Sequence, residues 1–287
     1  MKVVIIYNPN STGDSKSNAM KLARQLRKYN VEVEARATEY AGHGEEIAAR
    51  FAKENKEIIL ISSSGDGGYH EVVNGALSSK KTKLVVGVLP SGNANDHHSA
   101  LGTGELAESI RDGKFHLIDT IKVSAKIRGK RWERYAHSYV GMGVTAVAAK
   151  RLTLERPNIF TEKWIVARSL FSFKYAKLRV RRDNKRYSSI IFGNIDRMSK
   201  VMTLSRGASV TDGKFEMSSI RFRSKLRLIL YLVTAATKGL KDSKSMSKFI
   251  CFTYNSLPIQ LDGEVYTIDA RSKIKVTSEK QNLRCVI

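Results

Sequence analysis

The feature that most constrains the fold is an apolar run of strand length that leads directly into a glycine-rich turn and then into a helical pattern. The run is Ile58–Ile61, the turn is Ser62–Gly68, and apolar residues recur at helical spacing from Val72. Glycines let backbone N–H groups approach an anion, and a helix start carries a partial positive charge. Asp66 within this turn is explained if a cation or a transferred proton lies beside the phosphate. The stretch therefore predicts a nucleotide site with Mg²⁺.

Residues 1–120 alternate strand and helix patterns, which is typical of a parallel sheet covered by helices. The predicted strands are Val3–Tyr7, Val31–Ala37, Ile58–Ile61 and Leu84–Leu89. The predicted helices are Lys21–Lys28, Glu45–Ala52 and Tyr69–Leu77. We therefore expect an α/β nucleotide-binding domain over residues 1–120, and we interpret the apolar N-terminus as its first strand rather than as a signal peptide.

A polar or glycine-bearing loop follows each predicted strand of this domain. The loops are Asn8–Gly13, Thr38–His43, Gly65–Gly68 and Pro90–Asp96. Ligands of open α/β sheets bind where the carboxyl ends of the strands meet. Four such loops at one sheet edge predict a nucleotide cleft.

From Ile121 the pattern changes to short strands separated by turns, which predicts an antiparallel β-sandwich over residues 121–287. The predicted strands are Ile121–Ile127, Arg134–Val140, Lys177–Arg182, Ser188–Phe192, Val201–Leu204, Lys214–Ile220, Phe249–Tyr254, Pro258–Leu261 and Ile274–Val276. Alternatively, the last strand could return to the first domain. Ile159–Tyr175 and Arg221–Leu240 favour helices with apolar bodies and basic flanks, which suit either a core or a bilayer contact.

The net charge of +23 is concentrated in one segment of the chain. Residues 121–250 contain 30 Lys and Arg against 8 Asp and Glu, whereas residues 1–120 are neutral. A basic face is attracted to anionic lipid headgroups by about 1 kcal/mol per cation, and nucleic acid attracts it by the same physics. Charge alone does not separate these two partners.

The glycine turn also carries a resemblance to a known family. Ser64–Gly68 resembles the Gly-Gly-Asp-Gly-Thr motif of the diacylglycerol kinase catalytic-domain superfamily, which includes soluble bacterial lipid kinases, sphingosine kinases and ceramide kinases. With His70–Gly75 after it, the stretch is closer to the sphingosine kinase form. Pro90–Asp96 resembles the family block Pro-x-Gly-Thr-x-Asn-Asp, and Asn8–Gly13 resembles the family loop Asn-Pro-x-Ser-Gly.

The resemblance implies ATP as cofactor, with phosphates on Gly65–Gly68 and ribose near Glu71. The implied nucleotide-binding residues are Asn8, Pro9, Asn10, Ser11, Thr12, Thr38, Gly65, Asp66, Gly67, Gly68, Glu71, Ser91, Gly92 and Asn93. Gly68 lacks the hydroxyl of the family threonine. For Mg²⁺, Asp96 either joins Asp66 in a water-bridged network or caps a helix. Asp212 either holds a structural Mg²⁺, as its counterpart does in some bacterial members, or forms an Asp-Gly turn.

Leu261–Glu264 is the predicted catalytic element. Phosphoryl transfer needs a carboxylate that takes the proton of the acceptor hydroxyl. The resemblance assigns this base to Glu264, with Asp262 and Asp66 as rivals.

We therefore expect an ATP-dependent lipid kinase whose acceptor is diacylglycerol, a sphingoid base or a related lipid. The alternatives are a NAD kinase-like enzyme and an inactive basic protein that binds membrane or nucleic acid. The expected partners are a lipid substrate and an anionic membrane surface, without nucleic acid, and a homodimer stays open. The two cysteines suit a reducing compartment, so we expect a cytoplasmic, peripherally membrane-associated protein.

Overall fold

The structure is a computed structural model of the 287-residue chain. It describes residues 1–11, 13–54, 56–79, 83–92, 95–101, 104–155, 168–169, 175–180, 183–198, 202–203, 207–222, 224, 226, 228, 230 and 243–286. The chain divides into two compact units. Unit 1 comprises Met1–Thr120 and Lys280–Ile287, and unit 2 comprises Ile121–Glu279.

Unit 1 alternates strands and helices along the chain, as predicted. Its elements are β1 (Lys2–Tyr7), α1 (Ser15–Lys28), β2 (Glu32–Ala37), α2 (His43–Glu54), β3 (Ile58–Ser64), α3 (Asp66–Ala76), β4 (Val85–Pro90), α4 (Asp96–Leu101) and α5 (Leu106–Arg111). Strands β5 (Phe115–Ile127) and β17 (Lys273–Val286) each contribute residues to both units.

The sheet of unit 1 is parallel, in the order β2–β1–β3–β4, and Cys285 of β17 pairs with Val86 of β4 in the same direction. Strand β3 is buried at every position, as its continuous apolar pattern predicts. The predicted α/β class is confirmed.

Helix α1 begins at Ser15, six residues before the predicted start at Lys21. The first turn is polar and lacks apolar periodicity, so no helical pattern is visible there. Ser15 is nevertheless buried because its hydroxyl donates to the Ser63 carbonyl oxygen and its own carbonyl accepts the Ser63 hydroxyl at 2.8 Å. A contact between residues far apart in the chain therefore sets this helix start.

The elements of unit 2 that follow β5 are predominantly strands. They are β6 (Lys130–Ala136), β7 (Tyr139–Gly143), α6 (Val144–Glu155), β8 (Ala176–Val180), β9 (Asp183–Gly193), β10 (Arg197–Met198), β11 (Met202–Thr203), β12 (Phe215–Arg221), β13 (Ser243–Met246), β14 (Lys248–Thr253), β15 (Leu257–Leu261) and β16 (Glu264–Ile268). Neighbouring strands pair antiparallel, which confirms the predicted strand direction.

The prediction of one strand over Arg134–Val140 was wrong. Strand β6 ends at Ala136 and β7 begins at Tyr139. The backbone N–H groups of His137 and Ser138 donate to the carboxylate of Asp262 instead of to a neighbouring strand. Helix α6 was also not predicted. Most of Ile159–Tyr175 and Arg221–Leu240 lies outside the described residues.

The two cysteines are free and buried. Burial raises the pKa of the Cys251 thiol to about 12 and that of the Cys285 thiol to about 12. Both are therefore protonated at neutral pH, and their role is packing. Within the described part of the chain, no helix has both the length and the apolar character needed to cross a membrane.

Helices α2 and α3 approach each other closely at Gly75. A Cβ atom at this position would lie 2.3 Å from the carbonyl oxygen of Glu45 and 2.6 Å from the Cβ of Ala48. The first of these is a backbone atom, which cannot rotate away. The close helix contact therefore depends on glycine at this position.

We predict that Gly75→Ala lowers the free energy of unfolding by about 1–3 kcal/mol because the added methyl group overpacks the contact between the helices. Urea denaturation measures this change. The matched control is Gly104→Ala, where the nearest heavy atom lies 4.0 Å from the added Cβ. Equal stability of the Gly75 variant and wild type would contradict the described helix contact.

Candidate active site

The turn after β3 places the start of a helix at the carboxyl edge of the parallel sheet. Gly65 occupies the N-cap position with an extended backbone, and Asp66 is the first residue of α3. The first N–H groups of a helix have no partner within the helix. The predicted sequence of strand, turn and helix is therefore present, with backbone donors at the position where the phosphates were predicted.

Gly68 is required by the side chain of Ser64. A Cβ atom at Gly68 would lie 2.5 Å from the Oγ of Ser64 and 2.6 Å from its Cβ. The Ser64 hydroxyl donates to the carbonyl oxygen of Gly65 at 2.9 Å and lies 2.7 Å from the hydroxyl of Ser62. The two departures from the family motif, serine at 64 and glycine at 68, are therefore coupled by packing.

Asp66 and Asp96 are in contact in unit 1, and both are buried. The backbone N–H of Asp96 donates to Oδ2 of Asp66 at 3.2 Å. Asp96 is the first residue of α4, so the N-cap position belongs to Asn95 rather than to Asp96. Of the two predicted roles of Asp96, the geometry favours the partnership with Asp66.

This pair fits a Mg²⁺ ion that is shared with a nucleotide. Carboxylate oxygens are ligands that Mg²⁺ prefers, and the ion usually keeps water and phosphate as its other ligands. The described residues contain no group of three or more His, Cys, Asp or Glu side chains that could hold a metal. Asp66 and Asp96 could therefore supply part of a coordination shell that phosphate oxygens and water complete.

The loop after β1 contacts the loop after β4. Ser11 donates its hydroxyl to the carbonyl oxygen of Ser91 at 3.0 Å. A Cβ atom at Gly13 would lie 2.5 Å from that same oxygen, so glycine permits the approach. Asn8 holds its own loop through its Oδ1, which accepts the N–H of Asn10 at 2.9 Å. Of the predicted nucleotide residues, Thr12 and Asn93 lie outside the described residues.

Ser91 is the centre of a hydrogen-bond network that sequence reasoning only partly identified. Its N–H donates to the carbonyl oxygen of Ser64 at 3.0 Å, and its hydroxyl accepts from Asn18 at 3.0 Å and lies 3.2 Å from the Ser63 hydroxyl. Ser63 and Asn18 were not predicted. The available signal was the run of three serines that ends an otherwise apolar strand.

Glu71 anchors the loop that follows β2. Its Oε1 accepts the N–H of Gly42 at 2.8 Å, and its Oε2 accepts the N–H of Gly44 at 3.1 Å. At the other end of the loop, the Thr38 N–H donates to the Tyr7 carbonyl oxygen at 2.8 Å. Glu71 thus fixes this loop to α3, and its contact with ribose stays a prediction.

In unit 2, Asp262 has a structural role within the turn between β15 and β16. Its carboxylate is buried and accepts the N–H groups of His137, Ser138 and Tyr139 at 2.9, 2.9 and 3.0 Å. A carboxylate has about four lone-pair positions, and these N–H groups occupy at least three of them, while Nε2 of His137 also lies 3.4 Å from Oδ2. Asp262 is therefore poorly suited to take a proton from a substrate.

Glu264 differs from Asp262 in its surroundings. Asp262 and Gly263 both have positive φ angles, +50° and +97°, which suits a two-residue hairpin turn. Glu264 follows as the first residue of β16 and is exposed. Its side chain forms no hydrogen bond or ion pair with any described residue, so Glu264 is the better suited of the two predicted acids to act on a bound molecule.

Asp212 lies in an exposed turn before β12. Its Oδ1 accepts the N–H of Lys214 at 2.9 Å, and Gly213 has a positive φ angle of 75°. These contacts are typical of an Asp-Gly turn, which is one of the two roles predicted for Asp212. Binding of Mg²⁺ by Asp212 stays a prediction.

Comparison with known proteins gives a consistent result. Residues 2–123 match the diacylglycerol kinase catalytic domain. The chain is 26% identical over 279 residues to a diacylglycerol kinase of Staphylococcus saprophyticus, covering 91% of this chain and 88% of the relative. It is 28% identical over 276 residues to a diacylglycerol kinase of Staphylococcus aureus strain MRSA252, covering 91% and 85%.

Solved structures agree in fold. A crystal structure of a diacylglycerol kinase from Bacillus anthracis matches with a TM-score of 0.68 at 16% identity, covering 99% of this chain and 96% of that chain. A second solved chain from the same organism matches with a TM-score of 0.74 at 17% identity over the same shares. These solved structures show that the fold is shared. The match of residues 2–123 and the named relatives confirm the resemblance to the diacylglycerol kinase catalytic-domain superfamily that was seen in the sequence.

Proposed function

We propose that this protein is an ATP-dependent lipid kinase that transfers the γ-phosphate to a hydroxyl group of diacylglycerol, a sphingoid base or a related lipid. The observation that carries the proposal is the pair of buried carboxylates, Asp66 and Asp96, beside the helix start that follows β3. A helix start attracts phosphate, and adjacent carboxylates attract the cation that accompanies it. The named relatives support a kinase of this family.

The nucleotide would be held by residues of unit 1. The backbone N–H groups of Gly65–Gly68 would donate to phosphate oxygens. The loops with Ser11 and Ser91 border the same sheet edge. When bound, Mg²⁺ supplies neutralisation of the phosphate charge. Asp66 and Asp96 are the residues that would hold it. Glu71 keeps the loop after β2 in place through Gly42 and Gly44.

We assign the general base to Glu264. Its carboxylate takes the proton of the lipid hydroxyl while the hydroxyl oxygen forms a bond to the γ-phosphorus. The bond between that phosphorus and the bridging β–γ oxygen breaks, and ADP leaves with the electron pair. Asp262 acts as a positioning residue because its three backbone hydrogen bonds hold the hairpin that presents Glu264.

The acceptor is proposed to be a membrane lipid because residues 121–250 carry a large cationic excess. A soluble acceptor such as NAD does not account for this charge, whereas an anionic bilayer does. The proposed location is accordingly cytoplasmic and peripheral to a membrane.

We predict that Asp66→Asn and Glu264→Gln each lower the rate of ATP-dependent lipid phosphorylation by about 10²–10⁴-fold, because each removes a charge that the transfer needs. Transfer of radiolabelled phosphate from ATP to a panel of hydroxyl lipids measures the rate, with NAD as a comparison acceptor. Glu54→Gln at the exposed end of α2 is the matched control and should keep wild-type activity. Wild-type turnover in either test variant, or labelling of NAD alone, would refute the proposal.

We also predict that substitutions at Asp262 and at Glu264 have different effects on the free energy of unfolding. Asp262→Asn should lower the free energy of unfolding by about 1–3 kcal/mol because an amide nitrogen cannot accept the backbone N–H groups that the carboxylate oxygen accepts. Glu264→Gln should unfold like wild type because its side chain is exposed. Thermal and urea unfolding of both variants provide the test. The roles assigned here would be reversed if Glu264→Gln were the destabilised variant.

A further inference from the structure

One face of the sheet in unit 2 is lined by cations. Strands β9, β8, β14 and β17 lie side by side in that order and are antiparallel. Their outward positions include six exposed Lys and Arg residues, which we call the basic sheet face: Lys177, Arg179, Arg186, Lys248, Lys273 and Lys275.

The pairing register places these residues on the same face. Lys177 pairs with Arg186, and Arg179 pairs with Phe252, which in turn pairs with Lys273. Directly opposed residues in antiparallel strands point to the same side of a sheet, and alternate residues along a strand share a side. The intervening positions point to the hydrophobic core of unit 2, and they include Ala176, Leu178, Phe249, Cys251, Ile274 and Val276.

Apolar and aromatic side chains lie among the cations. Phe252 lies beneath the guanidinium of Arg179, with 4.8 Å from Cζ to the ring centroid. The ammonium of Lys177 lies 4.7 Å from the ring centroid of Tyr254. Ile250 opposes Lys275 and is partly exposed. The face is therefore a mixture of positive charge and accessible apolar surface.

Some cations of the basic sheet face lie directly opposite one another. Among the described residues, none of its six cations forms an ion pair. Like charges directly opposite each other, such as Lys177 and Arg186, destabilise a sheet. An arrangement that costs stability in the free protein is explained if an external anion neutralises it.

We propose that the basic sheet face docks the protein on the surface of an anionic lipid bilayer. This inference rests on the proposed function, because a kinase whose acceptor is a membrane lipid must reach the membrane surface. Cations with interspersed aromatic and aliphatic side chains suit the boundary between headgroups and acyl chains. Sequence-specific readers of duplex DNA instead insert a helix or a narrow β-ribbon into a groove, and a four-stranded face is too broad for that. A bilayer is therefore favoured over a DNA duplex as the partner.

The test compares two variants that lose the same charge from different units. The face variant combines Lys248→Gln, Lys273→Gln and Lys275→Gln. The control variant combines Lys21→Gln, Arg24→Gln and Lys28→Gln on the exposed side of α1. All six positions are exposed, so both variants are expected to fold, and circular dichroism and melting temperature verify this.

Binding is measured without ATP by sedimentation with vesicles of phosphatidylglycerol and phosphatidylcholine. Each cation near an anionic surface contributes about fivefold, so the face variant should partition on the order of 100-fold more weakly than wild type. The control variant should bind within about threefold of wild type because α1 lies in the other unit. Binding of wild type should be lost at about 1 M salt and with vesicles of phosphatidylcholine alone.

The inference is overturned if the face variant binds anionic vesicles like wild type or if the control variant weakens equally. It is also overturned if only binding to a DNA duplex, measured in parallel, depends on the face.

A kinase assay with detergent-dispersed lipid separates this inference from the proposed function. A face variant that binds vesicles weakly but phosphorylates dispersed lipid at the wild-type rate supports both. If wild type phosphorylates no lipid while the face variant still loses vesicle binding, the proposed function fails and the docking surface stands.

Discussion

The arrangement of unit 1 depends on two carboxylates that are buried at the edge of a parallel sheet. Burial of ionised groups is costly unless hydrogen bonds or opposite charge compensate it. Here the start of α3 offers a partial positive charge to Asp66, and the N–H of Asp96 donates to it. These contacts lower the cost of burial, and a bound cation would lower it further. The loops after β1 and β4 pack against each other through Ser11, Gly13 and Ser91, which gives the edge its form.

The sequence predicts the fold of unit 1 well because its signals are local. The apolar runs, the glycine turn and the helical periodicity each lie within about ten residues. Strands β1 to β4 and helices α1 to α3 are all present, and the largest difference in bounds is the start of α1, six residues before the predicted one. The structure of unit 2 agrees less closely with the strands predicted from the sequence. The separation of β6 from β7 depends on Asp262, which is more than a hundred residues away in the chain, and no local pattern shows such a contact.

The same distinction separates what the sequence could and could not say about the site. The Gly65–Gly68 turn and the meeting of Asp66 with Asp96 follow from motifs at the ends of predicted strands. The anchoring role of Glu71, the part of Asn18 and Ser63 in the Ser91 network, and the coupling of Ser64 to Gly68 are tertiary contacts. Likewise, charge counts indicated a basic segment, but only strand register shows that four of its cations share one face with Lys273 and Lys275.

The central claim is that the sheet edge of unit 1 binds a magnesium nucleotide. The most direct measurement is the shift of backbone amide signals in the nuclear magnetic resonance spectrum when a non-hydrolysable ATP analogue with Mg²⁺ is added. The account predicts that the largest shifts occur at Ser11, Gly65–Gly68 and Gly92, and that they shrink when EDTA removes the metal. Unchanged amide signals at these residues under saturating nucleotide would contradict it.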